Sequence, residues 1–275
     1  MKAGSHCKNC LKNLARRVVA LSGGGKGLEA SAFHLIEALF DIERSPTEVS
    51  NRLLRYIKAE TGVYDPFAER KETEFRQALA ASARLKGFFP DTLKGALAAS
   101  AFGNGGDFFT EHAYDPSRME FECDVAKIER QVYINSKIMV LGDNAGDLVF
   151  DLPLLRLLRR EGKEVYYAVR EHPVQNDISL SDAARLGAHD MWDAIISTGT
   201  DEVGMRREAM TGKVRECWED GSMIIAKGMG NYETISEYDR ERPVVYVMGV
   251  KCRTVAAALG RKVGAYIAIT GGDHG

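Results

Sequence analysis

The sequence predicts an α/β protein: an N-terminal helical bundle domain, residues 1–125, followed by a C-terminal doubly wound, mostly parallel Rossmann-like sheet, residues 126–275. Three observations carry this. Up to about residue 125, apolar residues recur at three- and four-residue spacing with almost no period-two alternation. Beyond it, short apolar runs alternate with helical patterns, as in a parallel sheet covered on both faces. Polar groups follow most of those runs, where open sheets bind ligands at strand carboxyl ends.

Each element has its own signal. Cys10 to Leu21 puts Leu11, Leu14, Val18 and Val19 on one stripe, broken by Gly23-Gly24-Gly25. Leu28 to Phe40 resumes it with Phe33, Leu35, Ile36 and Leu39. Ser45-Pro46-Thr47-Glu48 reads as a helix start, with Ser45 the cap and Pro46 in the first turn. Val49, Leu53, Leu54 and Ile57 form its buried stripe. Asp65-Pro66 opens a long helix reaching about Lys86, and Asp91 to Ala101 a further one, ended by Gly103. The candidate strands are Ile138 to Leu141, Val165 to Val169, Ala194 to Ser197, Met223 to Ala226, Val244 to Met248 and Ala265 to Ile269. Leu148 to Arg160 and Arg206 to Trp218 are helical patterns between them, with right-handed crossovers expected.

Composition narrows the class. Of 275 residues, 45% are hydrophobic and 28% charged, as in ordinary globular proteins. A net charge of −2 argues against nucleic acid held by bulk electrostatics. No apolar run approaches the roughly 18 residues of a membrane span, so no membrane partner is expected. The first residues carry charge and no apolar signal core. Five cysteines without framework spacing suit a reducing cytoplasm, the expected location.

The chemistry gathers behind the strands. After the first come Asp143, Asn144 and Asp147; after the second, Gln175-Asn-Asp-Ile-Ser179 with Asp177; after the third, Thr198-Gly-Thr-Asp201. Lys227-Gly-Met-Gly-Asn-Tyr-Glu233 follows the fourth, and Lys251 and Cys252 the fifth. Parallel strands bring all five groups to one sheet edge. A helix cap explains Asp143 alone, but not five such groups in succession. Carboxylate and amide oxygens suit a hard divalent cation such as Mg²⁺ or Mn²⁺. Lysines and helix N-terminal N–H groups suit phosphate oxygens, and Gly228 and Gly230 let backbone approach an anion. Such equipment serves phosphoryl transfer, so phosphate-ester hydrolysis is the expected reaction. Asn104 and Asp107 either point toward the site across the domain junction or belong to a glycine-rich helix end. Asp201 either supports the metal or caps the next helix. Cys7 and Cys10 have the spacing of half a zinc or iron–sulfur site, or of a redox pair.

Together, Asp143-Asn-Ala-Gly-Asp147, Asn176-Asp177, Lys227-Gly-Met-Gly-Asn-Tyr-Glu233 and Lys251-Cys252 resemble the motifs of the metal-dependent damage-control phosphatases, formerly a domain of unknown function. The branch resembled also carries an N-terminal Cys-x-x-Cys, here Cys7-Lys-Asn-Cys10. The resemblance covers nearly the whole chain, Gly103-Asn-Gly-Gly-Asp107 included. It implies that Asp143, Asn144 and Asp177 hold one divalent metal, commonly Mn²⁺ or Ni²⁺, with Mg²⁺ or Co²⁺ as alternatives. It implies that Lys251 contacts the substrate phosphate, that Lys227, Gly228, Gly230 and Asn231 line the substrate side, and that Asp147 serves the attacking water. The substrate is then a small phosphorylated metabolite, such as a sugar phosphate or a damaged phosphometabolite. Cys252 is the suggested third member of a thiol site with Cys7 and Cys10. Two departures stand out: Asp147 where the family more often has Glu, and Tyr232 where Phe is common.

Two other readings stay open. An aspartyl-phosphate phosphatase needs Asp-x-Asp after the first strand, and here Ala145 takes the second position. A non-catalytic module would bind metal and a phosphorylated ligand without turnover. No Gly-x-Gly-x-x-Gly or Gly-x-Ser-x-Gly stands behind the first strand, which disfavours dinucleotide binding and serine hydrolysis. Ser22-Gly-Gly-Gly-Lys-Gly27 lacks the order of a phosphate loop and reads as an interhelical connection.

Overall fold

The computed structural model describes residues 1–105, 116–239 and 242–272; Asp107 lies outside the described residues. Five helices come first: α1 (Cys7–Leu21), α2 (Lys26–Leu39), α3 (Pro46–Thr61), α4 (Ala68–Arg84) and α5 (Leu93–Gly103). Then follow β1 (Phe121–Cys123), α6 (Val125–Ile134), β2 (Lys137–Leu141), α7 (Asp147–Arg160), β3 (Glu164–Val169), α8 (Leu180–Arg185), α9 (Ala188–Met191) and β4 (Ile195–Ser197). The chain ends with α10 (Gly212–Glu219), β5 (Met223–Lys227), α11 (Gly228–Ile235), β6 (Val244–Gly249), α12 (Arg253–Leu259) and β7 (Tyr266–Thr270). The strands form one sheet in the order β1-β7-β6-β5-β2-β3-β4. Strands β2 to β6 are parallel, as the mostly parallel α/β class requires.

Three features differ from the periodicity. Strand β7 runs antiparallel to β6, with Val247 opposite Ala268. Strand β1 is three residues long, too short to show alternation, and pairs with β7 on the helical side of residue 125. The helix expected from Arg206 starts only at Gly212, because Met210 and Thr211 are extended.

Side chains of the central strands alternate between two cores, as a pleated sheet dictates. Ile138 and Val140 face one core, with Leu97 of α5, Ile128 of α6 and Leu155 of α7. Met139 and Leu141 face the other, with Trp218 of α10, Ile235 of α11 and Val255 of α12. Helices α1 to α3 bury a third core around Leu14, Ile36, Leu53 and Ile57. Val174, from the loop after β3, packs into that helical core and so ties it to the sheet edge. Lys71 of α4 is a second tie: fully buried, it pairs with Asp65 at 2.7 Å and Asp182 at 2.5 Å. The glycine loop after Ser22 joins α1 to α2. Ser45 and Pro46 open α3 as expected, but the Ser45 hydroxyl bonds Thr47 Oγ1 at 2.6 Å instead of capping. No described helix is long and apolar enough to cross a membrane.

Candidate active site

Because β2, β3, β5 and β6 are parallel, the segments leaving their carboxyl ends share one edge. A cavity of about 230 Å³ lies there, and Asp143, Asn144, Asp177, Gly230 and Lys251 all line it. The first three are brought together by backbone. Ile178 N–H donates to the Asp143 carbonyl at 2.8 Å and Ala145 N–H to the Asn176 carbonyl at 3.0 Å. Asn144 and Asp177 face each other in an isolated antiparallel bridge. The start of α7 is not capped by Asp143; its N-cap is Gly146, without a side-chain hydrogen bond. The capping explanation of Asp143 therefore does not apply.

The donor set fits a hard cation. Burial first, and then the charges of Asp177 and Asp147, hold the Asp143 carboxyl well above the usual carboxylate range; Lys251 and the Asn104 amide oppose them. Neighbouring acids that repel one another are relieved by a shared positive ion. Among the described residues, the buried Asn144 Nδ2 has no hydrogen-bond partner. Nothing there fixes that amide with nitrogen inward, so its oxygen can be turned to a metal. Among the described residues, no three His, Cys, Asp or Glu side chains form a ligating group.

Behind this wall lies a buried polar layer. Asn104 Nδ2 donates to Asp143 Oδ2 at 2.8 Å and to Asp147 Oδ2 at 2.7 Å, while its Oδ1 accepts from Gly249 N–H at 3.2 Å. Asp147 does not line the cavity; it is 1% exposed and pushed up to about 6, chiefly by burial and against the pull of Lys227. Lys227 also lies off the wall. Its ammonium donates to the Ser100 carbonyl at 2.6 Å and pairs with Asp151 at 2.8 Å and Asp147 at 3.6 Å. Asn231 is equally buried and donates to the Lys227 carbonyl at 2.7 Å. Gly228, with φ of +74°, turns the chain from β5 into α11; a Cβ there would stand 2.0 Å from Asp143 Oδ2. Only glycine fits both demands.

Arg170, directly after β3, is absent from the residues that periodicity and motifs pick out. It is 2% exposed, donates to Asp177 Oδ2 at 2.9 Å and the Gly204 carbonyl at 2.7 Å, and reaches Asn231 Oδ1 at 3.3 Å. The rule that strand ends carry the site would have named it. Leu11, Leu14, Pro46, Thr47 and Ser50 of the helical half line the cavity too; their spacing marks helix faces and a helix start, not a site. Asp201 pairs with Arg55 of α3, with Nη2 to Oδ1 at 2.5 Å.

Cys7, Cys10 and Cys252 line the same cavity, beside Met229 and Glu233. Helix α1 thus lies against the sheet edge. The Cys7 sulfur accepts from Gly4 N–H at 3.3 Å, and the Cys252 sulfur caps α12 by accepting from Val255 N–H at 3.3 Å. Burial pushes Cys252 up to about 11 and raises Cys10, where Cys7 adds to the effect. The three share a wall as free thiols.

The chain is 27% identical over 234 residues to a damage-control phosphatase of Archaeoglobus fulgidus, covering 80% of this chain and 81% of that protein. It is 27% identical over 284 residues to a damage-control phosphatase of Pyrococcus horikoshii, covering 97% of each. An uncharacterized protein of Methanocaldococcus jannaschii is 35% identical over 130 residues, a match spanning 46% of this chain and 42% of that protein's length. The crystal structure of a DUF89 family protein from Pyrococcus horikoshii superposes with a TM-score of 0.86 at 25% identity, covering 98% of this chain and 99% of that one. The family described as the damage-control phosphatase ARMT1-like domain matches residues 6–267, nearly the whole chain, and this chain belongs to that family.

Proposed function

We propose that the chain is a metal-dependent phosphatase that hydrolyses small phosphorylated metabolites. The observation that carries this is the shared wall of Asp143, Asn144, Asp177 and Lys251, two acids, an amide and an ammonium from three strand ends. A divalent cation held by Asp143, Asn144 and Asp177, as Mn²⁺, Ni²⁺, Mg²⁺ or Co²⁺, would supply Lewis-acid neutralisation of phosphoryl charge.

The chain's own residues do the rest. Lys251 neutralises the remaining phosphate charge. The first-turn N–H groups of α11, from Gly228 to Gly230, lie ahead of the first i→i−4 hydrogen bond of the helix and can bind phosphate oxygens. Met229 and Gly230 bring that turn to the cavity wall. Asn104 donates to both Asp143 and Asp147, so it positions Asp143 from behind and Asp147 anchors that amide. Lys227 balances Asp147 and Asp151 and holds the layer rigid. Rigid, preorganised charge is what phosphoryl transfer demands, since positioning and neutralisation supply most of its rate.

The test is phosphate release from sugar phosphates and p-nitrophenyl phosphate with Mn²⁺, Ni²⁺, Co²⁺ or Mg²⁺. Turnover should vanish on chelation and return with metal. Thermal stabilisation by a phosphorylated ligand without phosphate release would overturn the proposal in favour of a binding module.

A further inference from the structure

Gln175 stands on the cavity wall directly before Asn176 and Asp177. Among the described residues it is the one non-glycine with positive φ, +44°. That conformation is disfavoured for a residue with a Cβ and persists only where its surroundings impose it. Here they do. Val174 is buried in the helical core, the Asp177 N–H donates to the Val174 carbonyl at 3.1 Å, and Asn176 Nδ2 donates to Glu74 Oε2 at 3.2 Å. Glycine would adopt this turn without strain. The side chain is therefore where a reason for Gln must lie.

That side chain is fixed. Gln175 Nε2 donates at 3.1 Å to Oγ of Ser50, a buried residue of α3 that lines the same cavity. With one Nε2 hydrogen held by Ser50, the acceptor that Gln175 has left for a ligand is its carbonyl oxygen, beside the second Nε2 hydrogen. Thr47, Ser50 and Gln175 line the same cavity of about 230 Å³ as Lys251, within which the organic part of a phosphate held at Lys251 can meet them.

We propose that Gln175, held by Ser50, is a specificity residue that accepts a hydrogen bond from a hydroxyl or amine on the organic part of the substrate. This rests on the phosphatase reading above. The test compares a hexose phosphate with p-nitrophenyl phosphate, whose organic part offers no donor. Gln175→Leu should raise KM for the hexose phosphate about three- to tenfold, the loss of one neutral hydrogen bond, with kcat retained. Its kinetics on p-nitrophenyl phosphate and the Mn²⁺-induced rise in melting temperature should not change. Gln175→Gly, which relieves the backbone and so keeps the variant folded, should lose the same discrimination. An unaltered KM ratio overturns the proposal, and so does equal loss on both substrates. Loss of the Mn²⁺ shift also overturns it, because Gln175 would then serve only to place Asp177. Wild-type protein inactive on both phosphates overturns the phosphatase reading, and this one with it.

Discussion

Asn144 and Asp177 are paired backbone to backbone in an isolated antiparallel bridge. One follows β2 and the other lies in the loop after β3, so the bridge makes the site's geometry a property of the main chain. Side-chain substitutions in these loops should then change charge without scattering the remaining groups.

The metal set is tested by charge removal. Asp143→Asn keeps the shape of the side chain and deletes one of the acids that repel each other. In metal-free protein, stability should hold or rise. The rise in melting temperature on adding Mn²⁺ should disappear, and phosphatase activity should fall by about a thousandfold. A variant that still gains the wild-type increment from Mn²⁺ would remove Asp143 from the ligand set.

Gly228→Ala tests the tight turn beneath Asp143. The added Cβ meets a carboxylate oxygen at 2.0 Å, and φ of +74° adds strain of its own. Stability should drop by about 1–3 kcal/mol, and activity should drop further because Asp143 must move. Denaturant unfolding together with kcat/KM measures both; full activity in a folded variant would contradict the close approach.

Much of this site was legible in the sequence, for a physical reason. Strand ends are marked by the switch from apolar runs to glycine and polar residues, so Asp143, Asn144, Asp177 and Lys251 could be placed on one edge before any coordinates. What spacing cannot carry is depth. Lys227 and Asp147 sit in the same motifs, yet Lys227 faces inward to Ser100 and Asp151, Asp147 meets Asn104 and Lys227, and neither lines the cavity. Nor can it carry contacts between distant segments. Ser50 meets Gln175, and Val174 enters the core of α1 to α3, only because the fold closes there. Strand β1 escaped because three residues hold no period.

Lys227→Met separates structural from catalytic roles. It would leave Asp147 and Asp151 buried without their cation, a loss of about 3–5 kcal/mol. Adding Asp151→Asn to it should recover part of that loss, because Ser100 and Tyr167 hydroxyls donate to Asp151 at 2.6 and 2.9 Å and one can also serve an amide oxygen. Denaturation curves of the four proteins form the cycle. Additive effects would mean that Lys227 and Asp151 do not act as a pair.

The last expectation concerns pH and Glu233, half-buried on the cavity wall. Burial raises its carboxyl from an ordinary 4.5 to about 7. The folded chain therefore binds this proton more tightly than the unfolded chain. Below pH 4.5 both states hold the proton and folding loses nothing. Between 4.5 and 7 the unfolded state ionises first, so stability falls as pH rises, and above 7 the deficit is constant. For a group on a partly accessible wall the deficit is of order 1–3 kcal/mol. Glu233→Gln carries no such proton. Its stability should match the wild type near pH 4 and exceed it by a margin that opens up to pH 7 and then stays level. Urea midpoints for both proteins from pH 4 to 9 provide the check. A margin that opens in the opposite direction would mean that the ionised carboxylate is stabilised in the fold by a cation, and burial would not be the controlling effect.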